Sequence, residues 1–312
     1  MGTPDFAVES LRRLVEEGYN VVGVVTMPDK PVGRHQTVLQ ASPVKRYAEA
    51  QGLPVLQPEK LKDPAFLEQL RALQADLQIV VAFRMLPEVV WAMPPLGTFN
   101  LHASLLPQYR GAAPINWAII NGETETGITT FFLQHEIDTG NIIRQVRVPI
   151  ADTDNAEAVH DRLMVRGAAL VTETVDLIAA GNVATVAQQT VADGAALHPA
   201  PKIFKETCRI DWSRGVKPVY DFIRGLSPYP AAWTELVQGD RRQVLKVYET
   251  RKEFTAVSEP VGTLVTDGRT SLAVVLADGY LHLRSVQLAG KKRMQVDDFL
   301  RGFHAAGPLR VE

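Results

Sequence analysis

The residues that could do chemistry in this chain fall in one run, Phe99-Asn100-Leu101-His102-Ala103-Ser104-Leu105-Leu106-Pro107-Gln108-Tyr109-Arg110-Gly111. A second run, Glu136-Ile137-Asp138-Thr139-Gly140, answers it further on. Phe99 to His102 has the composition of a short strand after a glycine. Side chains at i and i+2 of a strand share a face, so Asn100 and His102 project together while Phe99 and Leu101 go to the other side. A neutral amide donor and an imidazole then stand together at the C-terminal end of a strand, where open α/β sheets bind ligands. Such a pair can hold charge developing on an oxygen, and the imidazole can also move a proton. Asp138, in a loop closed by Gly140, is the carboxylate available to orient His102. An Asn and a His two residues apart also suit an ordinary satisfied polar pair, and spacing alone leaves both readings open.

The elements that must position these residues alternate in type. Phe6, Val8, Leu11 and Leu14 have helical spacing that stops at Gly18. Val21 to Thr26 is an apolar run typical of a buried parallel strand, and residues 27–43 read as a long loop. A short helix over Val44 to Ala50 and a short strand over Leu53 to Leu56 follow. A helix then starts at Asp63-Pro64, with the Asp as N-cap and Pro at the first helical position. Leu77 to Phe83 is the next strand, ahead of Phe99 to His102. Beyond it come a helix over Pro114 to Asn121, β-rich segments at Gly127 to Leu133 and Asn141 to Val148, and a long helix over Asp154 to Ala180. This alternation predicts an α/β domain over residues 1–183, built on a doubly wound, mostly parallel, Rossmann-like sheet. Residues 184–204 contain a stretch of small residues with two prolines and read as a linker. Residues 205–312 form a different unit, with a helix over Asp211 to Leu226 and then short alternating strands. Gly239-Asp240, Asp267-Gly268 and Asp278-Gly279 break those strands as hairpin turns, which predicts a small β-barrel or sandwich.

Composition bounds the function. Hydrophobic residues at 46% and charged residues at 22% are ordinary for a globular chain. The single cysteine, Cys208, cannot support a disulfide framework and suits a reducing compartment. No apolar run approaches the roughly 18 residues of a membrane span, and Met1-Gly2-Thr3-Pro4-Asp5 shows no signal peptide; a cytoplasmic protein is expected. The seven His and one Cys show no metal-ligand spacing. Net charge is −2, but residues 205–312 hold 17 Lys and Arg against 13 Asp and Glu. A basic C-terminal part on an acidic N-terminal part fits a domain that docks a polyanion, or a chance imbalance of solvated charges.

The run from Asn100 to Ala118, with Ile137-Asp138-Thr139-Gly140, resembles the signature of the folate-dependent formyltransferases, and the likeness extends over nearly the whole chain. Gly2 to Phe6, Ser42-Pro43-Val44-Lys45, Ala200-Pro201-Lys202-Ile203 and Ile223 to Trp233 resemble the branch that acts on initiator methionyl-tRNA. The resemblance implies transfer of a formyl group from 10-formyltetrahydrofolate to the α-amine of methionine on that tRNA, without a metal. It implies Asn100, His102 and Asp138 as catalytic, with Asp138 fixing the tautomer of His102. It places folate near Phe83, Leu86, Ser104, Leu105, Leu106, Pro107, Gln134 and Glu136. Phe83 and Leu86 could equally be plain core. For tRNA it points to Arg34 and Lys45 in an acceptor-stem loop, with Lys291, Lys292 and Arg293 in a C-terminal tRNA-binding domain of OB-like fold. Arg110 would bind an anion or brace its loop. The enzyme is expected as a monomer.

Two departures from the family pattern matter. Relatives carry a short apolar strand just before the equivalent of Met1, and its loss should leave neighbouring strands unpaired, which points to a misplaced start or a truncation. Arg84 and Met85 stand where a small residue or Gly is usual in the folate lining. Two rival readings share these features, a formyltransferase acting on an amino-sugar nucleotide and a non-catalytic RNA-binding module. A hydrolase that deformylates folate would also use such an Asn, His and Asp, but has no evident use for the C-terminal domain.

Overall fold

The computed structural model describes residues 1–32, 38–181, 183–192, 194, 196–303 and 307–312. The chain divides into two units. One is made of residues 1–111, 126–148 and 160–199, the other of residues 112–125, 149–159 and 200–312.

In the first unit the apolar runs become the strands of an α/β sheet. Gln78–Val81 pairs in parallel with Thr98–His102, which pairs antiparallel with Glu125–Phe132, and Ile142–Pro149 completes this four-stranded sheet. Val24–Val25 pairs in parallel with Val55–Leu56. Helix Asp5–Glu16 buries Phe6, Ala7, Ser10 and Leu14 on one stripe. Ser42 caps helix Pro43–Ala50 by accepting from the Lys45 N–H, and Asp63 caps helix Pro64–Ala72 by accepting from Ala65. The expected loop over 27–43 contains a short hairpin instead, Lys30–Val32 against Val38–Gln40. Pro31 and the three-residue strands hid it from pattern reading.

The sheet is interrupted between Val24–Val25 and Gln78–Val81, and the first two residues sit in the break. Gly2 N–H donates to Val25 O (3.0 Å), Val81 N–H donates to Met1 O (2.9 Å), and the Met1 amine donates to Ile79 O (2.6 Å). Past Met1 the break opens into a cavity of about 380 Å³ between Val21–Val24 and Leu77–Ile79, roofed by Leu11 and Leu14 and by Val175 and Ala179. Val21 to Gly23 therefore stay out of any ladder, and only the last part of the expected Val21–Thr26 strand forms.

The second unit is a barrel. Six strands run in the order Leu264–Thr266, Leu272–Leu276, Gly279–Leu288, Arg241–Phe254, Ala232–Gln238 and Leu309–Val311, each antiparallel to the next. A bridge between Thr263 and Arg310 joins the first to the last, so no long edge is left open. The Asp267 carboxylate caps one turn by accepting from the N–H groups of Arg269, Thr270 and Ser271, which holds its pKa well below the ordinary carboxylate range. Leu245, Val247, Leu276 and Leu281 are fully buried inside. Helix Val216–Gly225 and helix Pro114–Ile120 contribute Val216, Ile223 and Ile120 to the same core. The former begins later than Asp211 because that side chain turns back onto Ser213, while Asp278 accepts from Val216 N–H at the helix start.

Burial drives the Met1 α-amine down from 8.0 to about 5. Between those values the folded 312-residue chain holds a neutral amine while the unfolded chain binds a proton, so stability rises with pH across the window, by up to about 1.4 kcal/mol per unit. Denaturant midpoints measured from pH 5 to 8 should climb. Joining about five β-branched residues ahead of Met1, the length of an ordinary strand, should remove that component and raise the midpoint by filling the cavity. Absence of both effects would contradict this packing.

Candidate active site

Strand Thr98–His102 presents its residues as alternation requires. Phe99 and Leu101 are buried, Asn100 lies opposite Phe131 and Val80 in register, and His102 lies opposite Thr129. The Asn100 amide is half-buried and has no hydrogen-bond partner among the described residues. His102 is 7% exposed, with its ring set edge-on to Phe131. Its Nε2 lies 2.9 Å from the Tyr109 carbonyl oxygen. A carbonyl only accepts, so Nε2 carries the proton. Nδ1 faces Asp138 Oδ2 at 3.9 Å, within reach of an ion pair but too long for a hydrogen bond. The tautomer that the sequence assigned to Asp138 is therefore set by the Tyr109 backbone.

The turn after the strand is built from inside. Thr129 Oγ1 donates to Ser104 O (2.7 Å) and accepts from Leu106 N–H (3.2 Å), while Gln145 Nε2 donates to Leu106 O (2.7 Å). Ser104 Oγ donates to Gln108 O (2.6 Å). The turn ends at Tyr109, whose φ of +58° is left-handed, and whose N–H donates to His198 O (2.7 Å). Asp138 also has a left-handed φ, +56°, and its Oδ2 accepts from Gly111 N–H (3.1 Å). Left-handed backbone costs a non-glycine residue about 1–2 kcal/mol, and both instances here hold a group against His102. Gly140 closes the Asp138 loop where a Cβ would overlap the Phe132 carbonyl oxygen.

Other expected residues divide by burial. Leu86 and Leu106 belong to apolar cores, and Ser104 is fully buried with its hydroxyl spent within the turn. Pro107 is buried, Leu105 and Phe83 are half-buried, and Gln134 and Glu136 are exposed. Arg84 lies over the Phe83 ring and donates to Pro58 O and Glu59 O; burial lowers its pKa. Arg110 braces its loop, donating to Gln188 Oε1 through Nε (3.0 Å) and Nη2 (2.6 Å). Gln188 escaped the sequence reading, because a Gln among small residues carries neither charge nor periodicity. Lys45 is paired with Asp29 at 2.7 Å; that hydrogen bond raises the pKa of Lys45 and lowers that of Asp29. Arg34 lies outside the described residues. Arg293 is held by Ser285, by Glu249 and by the Tyr248 ring, whereas Lys291 and Lys292 are exposed with no ion-pair partner among the described residues. Among those residues no three His, Cys, Asp or Glu side chains are grouped to hold a metal, and no helix is long and apolar enough to cross a membrane.

Comparison with known proteins extends the picture over the full chain. A family model described as formyl transferase matches residues 1–175, and one described as formyl transferase, C-terminal domain, matches residues 202–304. A methionyl-tRNA formyltransferase of Parabacteroides distasonis is 69% identical over 305 residues, covering 97% of this chain and 94% of that one. Its counterpart in Bacteroides thetaiotaomicron is 68% identical over 312 residues, covering 100% and 97%. Among solved structures, a sugar 3N-formyl transferase crystallised with dTDP and 5-N-formyl-THF matches with a TM-score of 0.64 at 17% identity, over 93% of this chain and 97% of that one. At that identity the likeness is one of fold.

Gly140→Ala tests the loop geometry. The clash with Phe132 O should displace Asp138 from His102 and Gly111, and a misplacement of about 1 Å near reacting groups can cost a hundredfold in rate. Wild-type turnover and an unchanged melting temperature in this variant would contradict the close approach.

Proposed function

The chain belongs to the formyl transferase family, and on that premise we propose that it moves a formyl group from 10-formyltetrahydrofolate to the α-amine of methionine on the initiator tRNA. The observation that carries the reading is the Asn100 amide, unpartnered among the described residues, beside an imidazole whose Nε2 is already engaged and whose Nδ1 faces a carboxylate. An α-amine titrates near 8, so a usable neutral fraction exists at neutral pH without a strong base. Its attack on the formyl carbon builds a tetrahedral oxyanion. Asn100 Nδ2 donates to that oxygen, and His102 in its protonated form donates through Nδ1, the nitrogen not taken by Tyr109. One such fixed donor is worth about 2.7–4 kcal/mol of barrier, or roughly 100- to 1000-fold in rate. Asp138 accepts the proton the amine loses, directly or through a water. The intermediate collapses by breaking the bond from the formyl carbon to the folate nitrogen, which takes up a proton.

Phe83, Leu105, Gln134 and Glu136 are the accessible members of the folate set. Met85 and Ile137, at 72% and 63% exposure, supply apolar surface that a flat pterin would cover. Leu86, Ser104, Leu106 and Pro107 shape the slot from behind. Arg34 and Lys45 would approach the acceptor stem, and the exposed Lys291 and Lys292 would neutralise phosphates, with Arg293 fixed beside them. The proposed setting is the cytoplasm, and the working form a monomer.

The assay that tests this reading offers the enzyme 10-formyltetrahydrofolate with charged initiator tRNA, charged elongator tRNA or an amino-sugar nucleotide. Formylation of initiator tRNA supports it, and activity on the sugar alone overturns it. Asn100→Ala and His102→Ala should each cost at least about 100-fold in kcat with tRNA affinity within a few-fold; a large loss of binding instead would make them structural residues. Lys291→Ala and Lys292→Ala should weaken tRNA binding and each flatten its dependence on salt, by close to one unit of slope on a log–log plot. An unchanged slope would remove this cluster from the interface.

A further inference from the structure

Gln188 is 1% exposed, and its side-chain amide is saturated. Nε2 donates to Asp138 O and to Gly140 O, both at 2.8 Å, and Oε1 accepts both bonds from Arg110. All the hydrogen-bonding capacity of a primary amide is thereby used. Arg110 lies between Tyr109, whose carbonyl holds His102, and Gly111, whose N–H holds the Asp138 carboxylate. Three consecutive residues thus grip the imidazole, Gln188 and the carboxylate, and Gln188 returns the grip to the backbone on either side of Thr139. That backbone needs it. Asp138 stands in a left-handed conformation, and a buried carbonyl left without a donor costs about 1–3 kcal/mol.

From this closed circuit we infer that Gln188 is a positioning residue for the transfer reaction, holding the Asp138 carboxylate at its distance from His102. The inference rests on the roles given above to Asp138 and His102. Gln188 touches neither substrate nor reacting atoms; it acts through the peptide units of Asp138 and Gly140, with Arg110 locking its rotamer. A carboxylate at this position would keep the Arg110 bonds but could not donate to the two carbonyls. Gln188→Glu therefore removes the positioning function while preserving size and the link to Arg110.

The test compares single-turnover formylation of charged initiator tRNA by wild type, Gln188→Glu, Asp138→Asn and the double variant. In Gln188→Glu the rate should fall by about 10- to 100-fold with KM for both substrates within about threefold. In the Asp138→Asn background the same substitution should cost less than about twofold, because residues acting as one unit are non-additive. A loss that multiplies in full in the double variant, or no loss in the single one, overturns the inference. Should Gln188→Glu fail to fold by thermal melting, Arg110→Lys replaces it, since Lys cannot make both bonds to Oε1. It should show a smaller loss, again absent in the Asp138→Asn background, and an additive loss again overturns the inference. Wild-type activity reads out the two levels separately. An inactive wild type sinks the proposed function, whereas active wild type with equally active Gln188→Glu sinks this inference alone.

Discussion

One hydrogen bond organises the site, from His102 Nε2–H to the Tyr109 carbonyl. It is possible only because the chain doubles back within seven residues and Tyr109 accepts a left-handed backbone. The bond fixes which nitrogen carries the proton and leaves Nδ1 as the side that can answer a substrate or the Asp138 carboxylate. The internal ties through Thr129 and Gln145 are the scaffolding that makes this turn stiff. Buried polar networks of this kind favour one geometry when every member is satisfied.

The scaffold is less complete elsewhere in the same unit. Met1 and Gly2 span the break between Val24–Val25 and Gln78–Val81, but the cavity beyond them is lined by backbone that sheet pairing does not reach. None of Asn100, His102 or Asp138 lines that cavity. Strand Thr98–His102, which carries Asn100 and His102, lies one position further in, paired on both sides by Gln78–Val81 and Glu125–Phe132. It therefore keeps its register beside the break.

Much of this was legible in the residues. Strand alternation alone put Asn100 and His102 on one face, and Asp-Gly pairs marked turns of the barrel. The Asn100–Ala118 run carried the family. What escaped was whatever depends on backbone outside the common regions or on long-range contact. No rule reads a left-handed Tyr109 or Asp138 from sequence, so the partner of Nε2 was not foreseen. Gln188 lies 50 residues from the carbonyl it supports, with no local signal. The hairpin at Lys30–Val32 was too short and carried a proline. Burial sorted the folate candidates: Leu86 and Leu106 have the same residue type as half-buried Leu105, and only packing separates them.

The most direct test is the protonation pattern of His102, read by NMR on protein with 15N-labelled histidine. In the neutral ring Nε2 should give the protonated-type shift and Nδ1 the unprotonated type, and replacing Asp138 with Asn should leave that pattern unchanged. A neutral ring with its proton on Nδ1, or a pattern that reverses when Asp138 is replaced, would contradict an imidazole anchored by the Tyr109 carbonyl.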